Sequence, residues 1–265
     1  MTNEHRDGTK FVNLLNRGDV MQLKKMVSIF VLTMAVCVSA LHAMRAGGPA
    51  PTATSAAVRG SVRFEGKAPA AKVISMAADP VCAKQHPSPV AAQEVMTDAK
   101  GDLANVIVFV SEGLGDRTFD APSEPAVVEQ KGCMYQPHVL AVRANQKLEL
   151  VNDDATSHNI HPVPANNREW NKAEPPGTKM EEVFAREEIA IPVRCNVHPW
   201  MRGYIAVFKH PYFAVTGKDG GFDLSNLPPG TYTIKAWHEK LGTSTQTVTV
   251  SANETKEISF VFKGM

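Results

Sequence analysis

The sequence predicts an all-β protein of the β-sandwich type. Three observations predict it. Apolar residues alternate with polar ones in short runs, as in Val58 to Phe64 and Thr231 to Trp237. Gly, Pro, Asn and Asp clusters punctuate those runs, as at Asp219-Gly220-Gly221 and Leu227-Pro228-Pro229-Gly230. No long stretch carries the 3.6-residue apolar period of an amphipathic helix. Many short strands with regular turn signals indicate sandwiches rather than a parallel α/β sheet.

The chain begins with a polar segment, Met1 to Val20. Met21-Gln22-Leu23-Lys24-Lys25 then precedes a 16-residue apolar run, Met26 to Leu41. A basic segment, an apolar core and small residues after it read as an export leader starting near Met21 and cut near Ala43. The run is shorter than the ~20 residues that span a bilayer comfortably. An uncleaved anchor, tethering the protein to a membrane or cell surface, is the alternative. Ala46 to Ala57 is rich in Ala, Pro, Gly, Ser and Thr and reads as a linker.

Strands are expected next at Val58 to Phe64, Ala104 to Val110, His138 to Val142 and Lys147 to Val151. Further strands are expected at Ile189 to Arg194, Tyr204 to Phe208, Phe222 to Leu224, Thr231 to Trp237, Thr245 to Val250 and Ile258 to Phe262. The 265 residues are 43% hydrophobic and 21% charged with formal net charge +1, so no attraction to nucleic acid is implied. No nucleotide-binding glycine loop is present.

One segment carries chemistry. Cys195-Asn196-Val197-His198-Pro199-Trp200-Met201 places a thiol, an imidazole and a thioether within seven residues, between two expected strands. One Cys and two His with a Met as a weak axial ligand form the donor set of mononuclear electron-transfer copper sites. The second imidazole comes from His158 or His161 in Ser157-His158-Asn159-Ile160-His161. A lone cysteine in that loop would be a buried thiol or half of a disulfide; His at +3 and Met at +6 favour a ligand. Of the other cysteines, Cys37 lies in the apolar run. Cys82 and Cys133 are free to pair in an oxidising compartment. Cys133 together with His138 at a second metal is the competing reading.

Two family resemblances follow. HNIH at His158 to His161 and CNVHPWMRG at Cys195 to Gly203 resemble the cupredoxins, most of all the amicyanin and plastocyanin types, over about Pro125 to His210. The resemblance implies a Greek-key sandwich holding one copper ion, cycling between Cu(I) and Cu(II), through His158, Cys195, His198 and Met201. It also implies that Asn159 ties the two ligand segments together. His198 is then expected at the exposed edge, with Pro199 and Trp200 forming a docking collar for redox partners. Amicyanin-like loops often have Pro where Val197 stands, so Val197 adds an N–H near the sulfur.

RGSVRFEGKAPA and TGKDGGFDLSNLPPGTYTIKAWHEKLG resemble the carboxypeptidase-regulatory, prealbumin-like sandwich, in two halves separated by about 150 residues. The expected organisation is an N-terminal extension with leader at 1–45, a linker at 46–57 and the first part of the regulatory-like sandwich at 58–121. The cupredoxin-like domain follows at 122–210 and the C-terminal part of the sandwich at 211–265. In this arrangement the cupredoxin-like domain interrupts the other; a cupredoxin followed by a truncated sandwich is the simpler alternative.

The function these readings imply is an exported, periplasmic, monomeric electron carrier and not an enzyme. A copper delivery or storage protein, and a structural module with a stabilising metal, are the alternatives.

Overall fold

Burial alternates along the first strand, β1 (Ala56–Glu65): Ala56, Val58, Val62 and Phe64 point inward and Arg59, Arg63 and Glu65 outward. That is the period of a half-buried strand. The protein is described here from a computed structural model over residues 55–264. The expected leader, anchor and cleavage site lie outside the described residues. The expected linker ends earlier than the sequence suggested, because Ala56 and Ala57 already belong to β1, where Ala56 is buried.

The chain then runs through β2 (Val73–Ile74), a short helix α1 (Pro80–Gln85), β3 (Val90–Ala91), β4 (Ile107–Glu112), β5 (Ala126–Gln130), β6 (Tyr135–Gln136), β7 (Val139–Arg143), β8 (Lys147–Asn152) and β9 (His158–Pro162). It continues as β10 (Lys172–Glu174), β11 (Lys179–Val183), β12 (Glu188–Arg194), β13 (Arg202–Phe208), β14 (Phe213–Val215), β15 (Gly221–Leu227), β16 (Gly230–His238), β17 (Gly242–Val250) and β18 (Thr255–Lys263). The fold is all-β apart from α1 among the described residues. No helix among them is long and apolar enough to cross a membrane.

Two pairs of sheets form two cores. The sheet β15-β1-β18 faces the sheet β14-β4-β16-β17. Val58, Val62, Val108, Tyr232, Ile234 and Phe260 pack between them. β1 runs antiparallel to β15 and parallel to β18, so the start of the described chain is stitched to its end. The sheet β10-β9-β12-β13-β7 and the sheet β11-β8-β5-β6 enclose the second core, which includes Leu148, Leu150, Ile160, Val193, Cys195 and Met201. A third cluster joins the two: Ile107 and Phe109 of β4 meet Val139 of β7 and Ala206 and Phe208 of β13. The Phe109 and Phe208 rings lie 5.1 Å apart.

The segment between β1 and β4 differs from the reading that gave residues 58–121 to the regulatory-like sandwich. Met76 and Cys82 are buried in the second core, with Ile74, Ala83 and Val90 packed against it. The sequence concealed this because β2 and β3 are two-residue strands and α1 has six residues, too short for any period to register.

Candidate metal centre

β9 and the loop between β12 and β13 bring the donor groups together. β9 pairs with β12 through Pro162↔Val193 and His161↔Arg194, which sets its histidines beside the start of the loop. The loop, residues 195–201, is pinned at its base by β12–β13 pairing at Arg194↔Arg202. It is closed again by Cys195 N–H donating to Met201 O (3.1 Å) and Met201 N–H to His198 O (2.9 Å). A short loop closed this way has little freedom to lose when it binds a ligand.

His158, Cys195 and His198 converge: one nitrogen from each ring and the sulfur lie within 4.8 Å of one another, all buried. His158 Nδ1 and His198 Nδ1 are 2.8 Å apart, and Cys195 Sγ is 3.8 Å from His198 Nδ1. Met201 is fully buried in the same core as Cys195. His161 is not part of the group. Three residues on from His158 along a strand, it falls on the opposite face, where it meets Asn196 Oδ1 (3.2 Å) and Glu169 Oε1 (2.7 Å).

The outer nitrogens of both rings are held by carboxylates that the sequence reading did not single out. His158 Nε2 donates to Asp154 Oδ2 (2.8 Å) and His198 Nε2 to Asp79 Oδ2 (3.0 Å). Such pairs fix the tautomer and aim the Nδ1 lone pairs inward. The charges respond. Burial works against a charged His158, yet the Asp154 carboxylate and Cys195 together raise it to about 9. Burial pushes the Cys195 thiol up, but His158 and the backbone amides around Asn159, His198 and Val197 outweigh it, and the thiol lies below its ordinary range. The hydrogen bond from His198 holds Asp79 down at about 2.

With both Nε2 atoms donating outward, the 2.8 Å contact between the Nδ1 atoms needs a proton between them. A cation in that proton's place would meet two imidazole lone pairs and an acidified thiol. The donor chemistry therefore fits copper, with soft sulfur for Cu(I) and imidazole for either state.

Asn159 joins the two segments. Its Oδ1 accepts from Asn196 N–H (2.7 Å) and lies 3.4 Å from Cys195 Sγ. Its Nδ2 donates to Asn171 Oδ1 (2.7 Å). Cys195 Sγ also accepts from His198 N–H (3.4 Å). Val197 itself is exposed.

The expectation of an exposed His198 is corrected. Only 2% of it is accessible. Asp79, which caps α1, sits on its Nε2, and Cys82 Sγ lies 3.8 Å from the same atom. Pro199 is exposed and Trp200 half-buried. The Trp200 ring lies 4.9 Å from the His198 ring and its Nε1 donates to Cys133 O (3.1 Å). Cys82 and Cys133 form a disulfide, leaving Cys195 the free cysteine among the described residues. His138 is engaged elsewhere, between Arg202 O and the Glu239 carboxylate, so no Cys133–His138 site forms.

The sequence held faint signs of the missed acids. Asp79-Pro80 is a helix-start signal, and Asp79 accepts from Val81 N–H (2.7 Å) and Cys82 N–H (3.2 Å). Nothing in the sequence says that its other oxygen faces a histidine 119 positions away.

Residues 205–263 match the carboxypeptidase regulatory-like domain family. Solved structures similar to part of the chain include a copper-containing nitrite reductase from Thermus scotoductus SA-01, at 20% identity and TM-score 0.31. It covers 37% of this chain, and the match spans 25% of the reductase. A purple cupredoxin from Nitrosopumilus maritimus matches at 24% identity and TM-score 0.28, covering 31% of this chain and 99% of its own. A Cu(I) amicyanin variant matches at 20% identity and TM-score 0.29, covering 38% of this chain and 98% of its own. No curated protein matches the sequence. The two likenesses read from the sequence, to the regulatory-like domain and to the cupredoxins, recur in these matches, and residues 205–263 carry the first of them.

Proposed function

We propose that this chain binds a single copper ion through His158, Cys195, His198 and Met201 and carries single electrons between redox proteins in an exported compartment, without catalysing a reaction of its own. The observation that carries the reading is the buried meeting of two inward-facing Nδ1 atoms with a thiol of lowered pKa. The ion supplies a one-electron couple, Cu(I)/Cu(II).

The chain supplies the rest. Asp154 and Asp79 hold the imidazoles in one tautomer and orientation. Asn159 fastens β9 to the cysteine loop, so the donors keep their places when charge changes. The apolar core around Cys195 excludes water. Because His198 is covered, electrons leave by way of Trp200, which touches His198 and reaches the surface beside Pro199; a redox partner docks there.

The test is an absorption and EPR spectrum of the copper-loaded chain, with Cys195→Ser alongside. The expected result is one copper per chain and an intense visible thiolate-to-Cu(II) band that vanishes in the variant. A wild-type chain that takes up no copper, or a band that survives in Cys195→Ser, refutes the reading. Fast electron exchange with a small redox reagent separates a carrier from a storage protein.

A further inference from the structure

The Cys82–Cys133 disulfide lies against the outer edge of the imidazole pair, away from Cys195. Two carboxylates link it to the rings. Asp79 accepts from His198 Nε2 with one oxygen and from Cys82 N–H with the other. Asp154 Oδ2 accepts from both His158 Nε2 and Cys133 N–H (2.8 Å each). Each half of the disulfide is therefore one carboxylate away from one ring. The donor atoms of Asp79, Cys82 and His198 lie within 4.8 Å of each other, and so do those of Cys133, Asp154 and His158.

The helix that brings Cys82 there has little else to hold it. α1 has six residues, below the length at which a helix persists alone. Its one fully buried side chain is Cys82 itself, and Val81 is exposed. Beyond Ala83, half-buried against the second core, the remaining ties of α1 and its two flanking residues to the far side are polar. Asp79 reaches His198 and Thr156 Oγ1 (3.1 Å), His86 Nε2 lies 2.6 Å from Gly132 O, and Gln85 Nε2 approaches Cys133 Sγ (3.8 Å).

We propose that the Cys82–Cys133 disulfide is a redox-operated latch on the metal centre. Closed, it keeps α1 over the His198 edge and slows exchange of the ion. A dithiol, small or protein-borne, opens it: the S–S bond breaks, the dithiol supplies two electrons and two protons, Cys82 and Cys133 become thiols, and the reductant leaves as a disulfide. α1 then lifts, Asp79 leaves His198, and the centre is reachable from solvent. The ion-exchange half of this inference rests on the copper reading above; the accessibility of Cys195 does not.

The experiment has two arms on the full chain. In the metal-free chain, iodoacetamide labelling of Cys195 is followed by peptide mass spectrometry in oxidised wild type, in dithiothreitol-reduced wild type after removal of the reductant, and in C82A/C133A. The latch predicts labelling faster by about tenfold or more in the last two, since local opening sets access to a buried thiol. In the Cu(I)-loaded chain, transfer to the chelator bicinchoninate should accelerate by a similar factor. Equal Cys195 labelling in all three forms, each still melting cooperatively, overturns the proposal. Should C82A/C133A fail to fold, reduced and reoxidised wild type decides: protection regained on reoxidation supports the latch, and protection unaffected by reduction refutes it. A chain that binds no copper defeats the copper reading while the labelling arm still settles the latch.

Discussion

At the residue scale, the contrast between Cys195 and Asp79 shows what a sequence carries. Cys195, His198 and Met201 sit in one seven-residue loop, so their spacing is local and legible. His158 was legible as one of two histidines, and strand alternation now separates it from His161, which faces Glu169. Asp79 and Asp154 were not legible, because each acquires its role by meeting a ring nitrogen across the fold. Val197 yields a prediction at this scale. Its backbone amide is among those that lower the Cys195 thiol, and hydrogen bonding at a copper-bound sulfur tunes potential. Proline has no N–H to give. Val197→Pro should therefore lower the reduction potential of the loaded protein, as read by voltammetry; an unchanged or raised potential contradicts the assignment. The exposed Val197 side chain makes a packing effect small.

At the element scale, β1 shows how one strand serves two neighbours. Its alternation was readable from Val58 to Phe64, as were the long strands β15 to β18, because one face of each is buried in the first core. That β1 shares a sandwich with the C-terminal strands was suggested only by family likeness, and no local pattern encodes its partners, which lie 160 or more positions away on β15 and 198 away on β18. The strands that escaped the sequence reading are the two- and three-residue strands β2, β3, β6, β10 and β14, whose pairing is imposed by what surrounds them, and the five-residue strands β5 and β11. Gly60, in the middle of β1, has a steric role. A Cβ built there would lie 1.7 Å from Ile258 O on β18 and 3.1 Å from the Phe222 ring on β15. Relief would require parting β1 from β18, along which their registers run from Ala57 to Glu65. Gly60→Ala should cost roughly 3 kcal/mol or more, within the range of severe core disruptions. The midpoint of denaturant unfolding measures it, and a loss under about 1 kcal/mol would show that the strands adjust freely.

At the scale of the whole molecule, the two cores share the cluster around Phe109 and Phe208, and that junction holds a titratable group in an unfavourable place. The His210 ring lies tilted 5.6 Å from that of Phe208, is 8% exposed, and is lowered to about 4 by burial and by the charge of Arg143. His238, at the end of β16, is 1% exposed, and its Nε2 finds no protein hydrogen-bond partner. It too is lowered to about 4, chiefly by burial, with Glu239 opposing and His138 and Lys240 reinforcing. An unfolded histidine titrates near 6.5. Between about 6.5 and about 4 the unfolded chain therefore binds protons that the folded chain refuses. The share of stability tied to these two histidines is complete above 6.5 and is lost as pH falls from there through 4, by up to ~3 kcal/mol for each when fully titrated. The lowered carboxylates Asp154 and Glu188 act in a separate window, since their stabilisation is present above the ordinary carboxylate range and fades only beneath it. Thermal melts of the metal-free chain from pH 7 to pH 3 should thus show a steep loss between 6.5 and 4 that H210N/H238N flattens while leaving the decline below pH 4 in place. A double variant as steep as the wild type across that interval would mean that these rings are protonated in the folded protein, and that the junction between the two cores is wetter than its burial indicates.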